Sequence, residues 1–217
     1  MEVVKESYSE ATHVVFSERI DGLSKIEDRG VNLAIWQRSP LEIAEPLEEL
    51  MASGFKQAQF VYTRDQPIEV IGAFLDETID LRSESAVILW NDIVVLADKM
   101  LEICGDQQIG ISLDLISHDN CTSFHTDRQN LRLLCTYVGD GTYWLENQNV
   151  RRDQLNRNDN ESVVVDWQEV RQMRSHWVGL FKGETYRGGK DQAIVHRSPE
   201  VLGRKDADRL LLRIDTF

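Results

Sequence analysis

Cysteine is scarce in this chain of 217 residues, which carries three: Cys104, Cys121 and Cys135. Three cysteines do not make a disulfide framework. Long hydrophobic runs are missing as well. None approaches the ~18 residues that a membrane-spanning helix needs, so no membrane association is expected. The amino terminus lacks the basic-then-apolar pattern of a signal peptide, and the expected location is the cytoplasm, where thiols stay reduced. Positive charge is in deficit, with 24 Lys and Arg against 37 Asp and Glu and a net charge of −13. That balance argues against a general role in coating nucleic acid. Internal repeats and low-complexity tracts are absent too.

The charge that is present is unevenly spread. Residues 1–107 hold 9 Lys and Arg against 21 Asp and Glu, whereas residues 108–217 hold 15 against 16. Twelve of those 15 cations are Arg. Arg suits bidentate contacts to carboxylate or phosphate, so any anion recognition is expected in the second half.

The hydrophobic pattern changes at the same place. Residues 1–30 are polar and mixed and read as a loosely held arm, followed by a short apolar run at Val31–Trp36. Ser39-Pro40-Leu41-Glu42 has the form of a helix start, with Ser39 as N-cap and Glu42 closing a capping box. That helix is expected to reach about Ala52, with Ile43, Leu47, Leu50 and Met51 as its stripe and Gly54 as its C-terminal cap. Ile68–Leu75 fits a strand or a short helix equally. Ser85–Cys104 is the clearest helix, because Leu89, Trp90, Ile93, Leu96, Ala97, Met100, Leu101 and Cys104 recur at three- and four-residue spacing. Gly105 stops it.

Beyond Gly105 the period becomes two. Runs at Ile111–Leu115, Leu131–Tyr137, Thr142–Leu145, Ser162–Trp167, His176–Lys182, Ala193–His196 and Arg209–Ile214 read as short strands, with Asn156–Asn160 as a polar loop. The predicted class is α+β. Residues 1–107 form a mainly helical, acidic region, and residues 108–217 form a sandwich or barrel.

The chemistry is concentrated at Cys121–Leu145, CTSFHTDRQNLRLLCTYVGDGTYWL. In an extended strand His125 and Asp127 share a face and Thr126 points the other way. An imidazole beside a carboxylate supplies two-thirds of a 2-His-1-carboxylate triad, which leaves three positions open on a metal. The third ligand has to come from far along the chain. His196 follows the apolar pair Ile194-Val195. Taken alone it fits an ordinary strand-end histidine; taken with His125 and Asp127 it completes the triad. On the last strand Arg209, Leu211 and Arg213 share one face, and Leu210, Leu212 and Ile214 the other. The Arg face is either solvated or turned into the barrel.

These residues resemble the Fe(II)- and 2-oxoglutarate-dependent oxygenases of the double-stranded β-helix (jelly-roll, cupin-like) fold. The resemblance covers roughly residues 108–217. It implies a metal-binding core of that fold with the N-terminal helices packed outside it. It further implies iron ligation by His125, Asp127 and His196, and 2-oxoglutarate bound through Arg209, with Arg213 as the substitute. Tyr143, Trp144 and Arg132 would shape a substrate pocket, and Tyr137 and Cys121 are further candidates for the site. The implied substrate is a small molecule or peptide, anionic in character. A more extensive resemblance is to the bacterial family called domain of unknown function 1826. It rests on Cys121-x-x-Phe124-His125-x-Asp127, on Arg132-Leu133-Leu134-Cys135-Thr136-Tyr137-x-Gly139-x-Gly141-Thr142-x-Trp144-Leu145, on Gly179-Leu180-Phe181-Lys182-Gly183 and on His196-Arg197-Ser198-Pro199. That family supplies no reaction. Two other readings stand beside the oxygenase. One is a zinc protein for metal homeostasis or hydrolysis, in which Cys121 joins His125, Asp127 and His196, since thiolate favours zinc. The other is a metal-free barrel used for protein association.

Overall fold

A computed structural model describes residues 13–79, 86–155, 157–187, 189–202 and 208–217. Among the described residues there are ten strands and three longer helices. The strands are β1 (Val14–Ser17), β2 (Leu33–Trp36), β3 (Gln57–Thr63), β4 (Gln108–Ile116), β5 (Leu131–Val138), β6 (Tyr143–Leu145), β7 (Arg171–Gln172), β8 (Val178–Lys182), β9 (Val195–Arg197) and β10 (Arg209–Asp215). The helices are α1 (Ala44–Ala52), α2 (Val70–Thr78) and α3 (Ala86–Cys104), with a single turn, α4, at Asn160–Val163. Seven strands form one sheet in the order β1-β2-β8-β5-β10-β4-β3, and three form a second in the order β7-β6-β9.

The period-two pattern sets which side of the large sheet is dry. Leu131, Leu133, Cys135 and Tyr137 of β5 and Leu210, Leu212 and Ile214 of β10 enter one core with the apolar stripe of α3. Leu89, Ile93, Leu96 and Met100 of that stripe are fully buried. Each such side chain contributes roughly 1.5–3 kcal/mol, an upper estimate. Gly105 ends α3 at φ +68, a left-handed conformation that costs a residue without Cβ nothing. The opposite face of the large sheet meets the small sheet. Leu33, Ile35, Leu134, Trp144, Met173, Phe181, Ile194 and Leu211 pack between the two.

Several expectations need correction. The arm is not loosely held from residue 13 onward: Val14–Ser17 pairs with β2, and a 3-10 helix at Ile20–Glu27 buries Leu23 and Ile26. Residues 1–12, Ser85 and residues 203–207 lie outside the described residues. The first helix starts at Ala44, not beside Ser39, and Ser39 does not cap it. Pro46 is tolerated three residues into that helix because first-turn N–H groups have no intrahelical acceptor. Ile68–Leu75 resolves to helix, as α2. Ser162–Trp167 is no strand: α4 ends at Val163, Val164 makes an isolated bridge to Val150, and a 3-10 turn begins at Trp167. The large sheet also takes β1, β2 and β3 from the first 107 residues.

Candidate metal centre

His125 and His196 sit opposite each other in an antiparallel bridge that extends the small sheet. The pair exchanges both hydrogen bonds, His125 N–H to His196 O and His196 N–H to His125 O, each at 3.0 Å. Directly opposed residues of an antiparallel pair present their side chains on the same face. The two imidazoles therefore face the space between the sheets with ring centroids 4.7 Å apart. Phe181, from β8 of the large sheet, packs edge-on against His196 at 5.1 Å.

Asp127 lies two residues beyond His125 and joins them. Its Oδ2 is 3.2 Å from His196 Nε2, and its Oδ1 is 3.8 Å from His125 Nε2. One ligand atom from each of the three residues falls within 4.8 Å of the others. Two supports hold the segment in place. Asn160 accepts from Phe124 N–H at 2.7 Å and donates to Thr122 O at 3.0 Å. Gly183 lets the chain after Asp127 lie against the end of β8; a Cβ there would stand 1.9 Å from Gln129 O and 2.8 Å from Asp127 O.

The imidazoles are oriented from behind. His125 Nδ1 lies 2.8 Å from Ser123 O, and His196 Nδ1 lies 3.3 Å from Ile194 O. A carbonyl can only accept, so each Nδ1 carries a proton and each Nε2 is turned toward Asp127. Burial and the neighbouring His196 push the His125 imidazole below its ordinary pKa. Burial opposes ionisation of Asp127, but His196 and Arg132 outweigh it and hold the carboxyl well below the usual carboxylate range. Asp127 Oδ2 is buried without a hydrogen-bond partner among the described residues. Two imidazoles and one carboxylate, with an oxygen that lacks a hydrogen-bond partner among the described residues, make a donor set that suits a divalent first-row metal.

Arg209 occupies the same cavity, a space of about 500 Å³ lined also by His125, His196, Arg132, Leu134 and Leu211. Its side chain is 1% exposed. It donates to Thr142 Oγ1 at 2.7 Å, Thr136 Oγ1 at 3.0 Å and Ser198 Oγ at 3.2 Å. Among the described residues these hydrogen-bond partners are all hydroxyls, and its Nε has none. Burial lowers its pKa to about 10, against a smaller opposite effect of Asp140. Arg213 shares the cavity wall but is half-buried, with ion pairs to Asp114 at 3.8 Å and Asp215 at 3.4 Å. Lys56 and Gln57 line the cavity from β3 and the residue before it.

The structure separates the other candidates. Arg132 reaches Asp127. Cys121 lines the cavity but stays outside the ligand cluster; it is exposed, and its thiol lies 3.3 Å from Asn120 Oδ1. Trp144 is buried in the core between the sheets, with Phe16 at 6.4 Å, and Tyr143 lies under the Arg197 guanidinium. Tyr137 points away from the site, towards α3. There its hydroxyl donates to Asp92 at 2.7 Å, in a buried cluster where Arg38 pairs with Asp92 and reaches Cys135 and the carbonyl of His176. The residues not foreseen are Thr136, Thr142, Ser198 and Asn160. Thr136 had a signal, because it lies two and four residues from Leu134 and Arg132 on the cavity face of β5. Thr142 and Ser198 stand in the motif blocks of the family resemblance, with nothing there to show their role, and Asn160 has no signal.

The molecule is thus a mixed α+β protein whose two sheets frame a 2-His-1-carboxylate cluster and a buried guanidinium. The chain belongs to the family of proteins of unknown function DUF1826, whose match spans residues 17–215. No curated protein sequence matches it. Among solved structures it is similar to the dioxygenase for auxin oxidation in rice, at 12% identity and a TM-score of 0.43, covering 93% of this chain and 81% of that one. It is also similar to a full-length Neurospora crassa protein solved in complex with α-KG and 5-formyluracil, at 10% identity and 0.44, with coverage of 93% and 83%. A third is the 2-oxoglutarate complex of dioxygenase for auxin oxidation 1 from Arabidopsis thaliana, at 14% and 0.37. The match covers 82% of this chain and spans 65% of that protein. At these scores the likeness assigns no activity, and the functional case rests on the side chains. Among the described residues no helix is long and apolar enough to cross a membrane.

Proposed function

We propose that this protein is an Fe(II)- and 2-oxoglutarate-dependent oxygenase with a double-stranded β-helix core. The observation that carries this reading is the meeting, in one cavity, of the two histidines of the His125–Asp127–His196 cluster and a buried Arg209 whose hydrogen-bond partners among the described residues are hydroxyls. A buried cation with no carboxylate bonded to it is costly, and an incoming carboxylate offsets that cost. His125 Nε2, His196 Nε2 and Asp127 Oδ2 would hold the metal, and three protein ligands leave positions for a chelating co-substrate. Arg209 would pair the far carboxylate of 2-oxoglutarate through its planar fork. Thr136, Thr142 and Ser198 fix that fork in advance, so little ordering remains at binding. Leu134 and Leu211 line the cavity with apolar wall. When bound, iron and 2-oxoglutarate supply the oxidising chemistry, in which O₂ is consumed, 2-oxoglutarate gives succinate and CO₂, and one oxygen atom enters the substrate.

In this reading residues 108–217 carry the metal and co-substrate groups, and residues 1–107 support them. The substrate is a small molecule or peptide with anionic character, a preference supported by Lys56 at the cavity wall, where Arg213 is already paired with Asp114 and Asp215. The closed four-ligand zinc reading draws no support from Cys121, which stands apart from the cluster. The test is an anaerobic titration of the Fe(II) protein with 2-oxoglutarate, followed by its metal-to-ligand absorption band. A saturable band with one iron per chain is expected. If no band forms while Zn²⁺ binds tightly, the oxygenase reading fails.

A further inference from the structure

Arg132 is the first cavity-facing residue of β5, directly opposite Asp215 of β10. Its Nε donates to Asp215 Oδ1 at 2.6 Å and its Nη2 to Asp215 Oδ2 at 2.9 Å. This two-point grip fixes the plane of the guanidinium. The remaining nitrogen, Nη1, is then aimed at Asp127 and donates to Oδ1 at 2.5 Å. The three side chains are largely buried, at 14%, 20% and 9% exposure, so solvent competes little for these bonds. The two oxygens of Asp127 are left unequal. Oδ1 accepts a charge-assisted hydrogen bond, while Oδ2 is buried, has no hydrogen-bond partner among the described residues and lies 3.2 Å from His196 Nε2.

We propose that Arg132, clamped by Asp215, is a positioning residue that restricts Asp127 to ligate the metal through Oδ2 alone. This rests on the metal-site part of the proposed function and goes further, because it assigns a task to two residues outside the ligand set. A carboxylate free to turn offers a metal both oxygens and takes up an extra coordination position. With Oδ1 engaged, that position stays available to a co-substrate. Partners behind a ligand typically change metal affinity 10–100-fold when removed. Lys in place of Arg132 keeps the positive charge between Asp127 and Asp215 but cannot bond both at once through a fixed fork.

The experiment uses the full chain and Co(II), under anaerobic conditions and without 2-oxoglutarate. Affinity is taken from titration and coordination from the visible band. Wild type, Arg132→Lys and Asp215→Asn are compared, together with the melting temperature of each metal-free protein. Arg132→Lys is expected to bind Co(II) roughly 10–100-fold more weakly, with a shifted band. Asp215→Asn is expected to show the same shift to a smaller degree, because Arg132 remains but its clamp is loosened. If the variants fold and bind Co(II) with the wild-type affinity and band, Arg132 only neutralises buried charge and the inference is overturned. If Arg132→Lys fails to fold, Asp215→Asn decides by the same two readouts. Absence of Co(II) binding by wild type would instead remove the metal site itself, and the inference with it.

Discussion

Replacing Arg209 with Ala tests the co-substrate half of the site without touching a metal ligand. The guanidinium is buried, held by three hydroxyls, and lined up on the cavity that also contains His125 and His196. A carboxylate docked on it forms a desolvated, hydrogen-bonded ion pair, and removing one partner of such a pair costs about 3–5 kcal/mol. Taking about 3 kcal/mol, 2-oxoglutarate should bind roughly 10²-fold more weakly, since each 1.4 kcal/mol is about tenfold. Ligand-induced stabilisation converts this into a melting shift. At a concentration about 100 times the wild-type Kd, 2-oxoglutarate stabilises the Fe(II) protein by about 2.7 kcal/mol. The same concentration stabilises the variant by only ~0.4 kcal/mol. For a domain of this size that is ~5–11 °C against ~1 °C. Arg209→Lys should fall nearer to Ala than to wild type, because a point charge does not reproduce a two-point contact. The assay is anaerobic thermal unfolding of the Fe(II) protein with and without 2-oxoglutarate, with metal content measured in parallel. Equal shifts for wild type and Arg209→Ala, with iron retained, would refute the assignment of Arg209.

On the far side of the sheet, Asp92→Ala leaves Arg38 as an uncompensated buried cation and should cost about 3–5 kcal/mol of stability by urea unfolding. Tyr137→Phe should cost about 1 kcal/mol in the same assay and leave Co(II) affinity unchanged, because its hydroxyl serves Asp92 and not the cavity. Cys121→Ser should keep Zn²⁺ and Co(II) affinity at the wild-type level, and a tenfold loss would bring the thiol back as a ligand. Burial pushes the Cys135 thiol up to about 12. At pH 8 an alkylating reagent should therefore modify the exposed Cys121 in the folded protein and reach Cys135 only after unfolding, as mass spectrometry of the digested protein will report.

The legibility of these features follows the range of the interactions behind them. The α3 stripe was readable because helical periodicity is local, and the facing of β10 because strand alternation is local. His125 and Asp127 share a face for the same local reason. Their meeting with His196 depends on a cross-strand bridge over 71 positions, which no spacing rule contains. The helix start at Ser39 failed because that stretch is held by contacts made at a distance: Leu41 N–H donates to His176 Nδ1, and Arg38 donates to the His176 carbonyl. A local capping signal lost to tertiary bonds. Ser162–Trp167 failed in the same way. It reads as one of the short strand runs, but Asn160 is drawn against the segment before His125 and Asn149 accepts from Asp166 N–H, which turns the chain into short helical pieces.

Strand β5 shows how one alternation supplies two separate polar systems. Its odd-numbered side chains, Leu131, Leu133, Cys135 and Tyr137, face the helices, and its even-numbered ones, Arg132, Leu134 and Thr136, face the cavity. Tyr137 and Cys135 therefore serve the Arg38–Asp92 cluster, while Arg132 and Thr136 serve Asp127 and Arg209. The two systems are one residue apart in sequence and on opposite faces of a sheet. A shift of one residue in β5 would place Tyr137 and Cys135 in the cavity and turn Arg132 into the helical core. It would remove the support of Asp127 and leave Asp92 without its hydroxyl partner in a single step. Register is strongly specified where an error disrupts both faces at once. The β10 strand beside it fixes that register through the Arg132–Asp215 pair on one face and Leu133, Cys135, Leu212 and Ile214 on the other. The same salt bridge that sets Asp127 for a metal thus also pins the strand that carries the rest of the site.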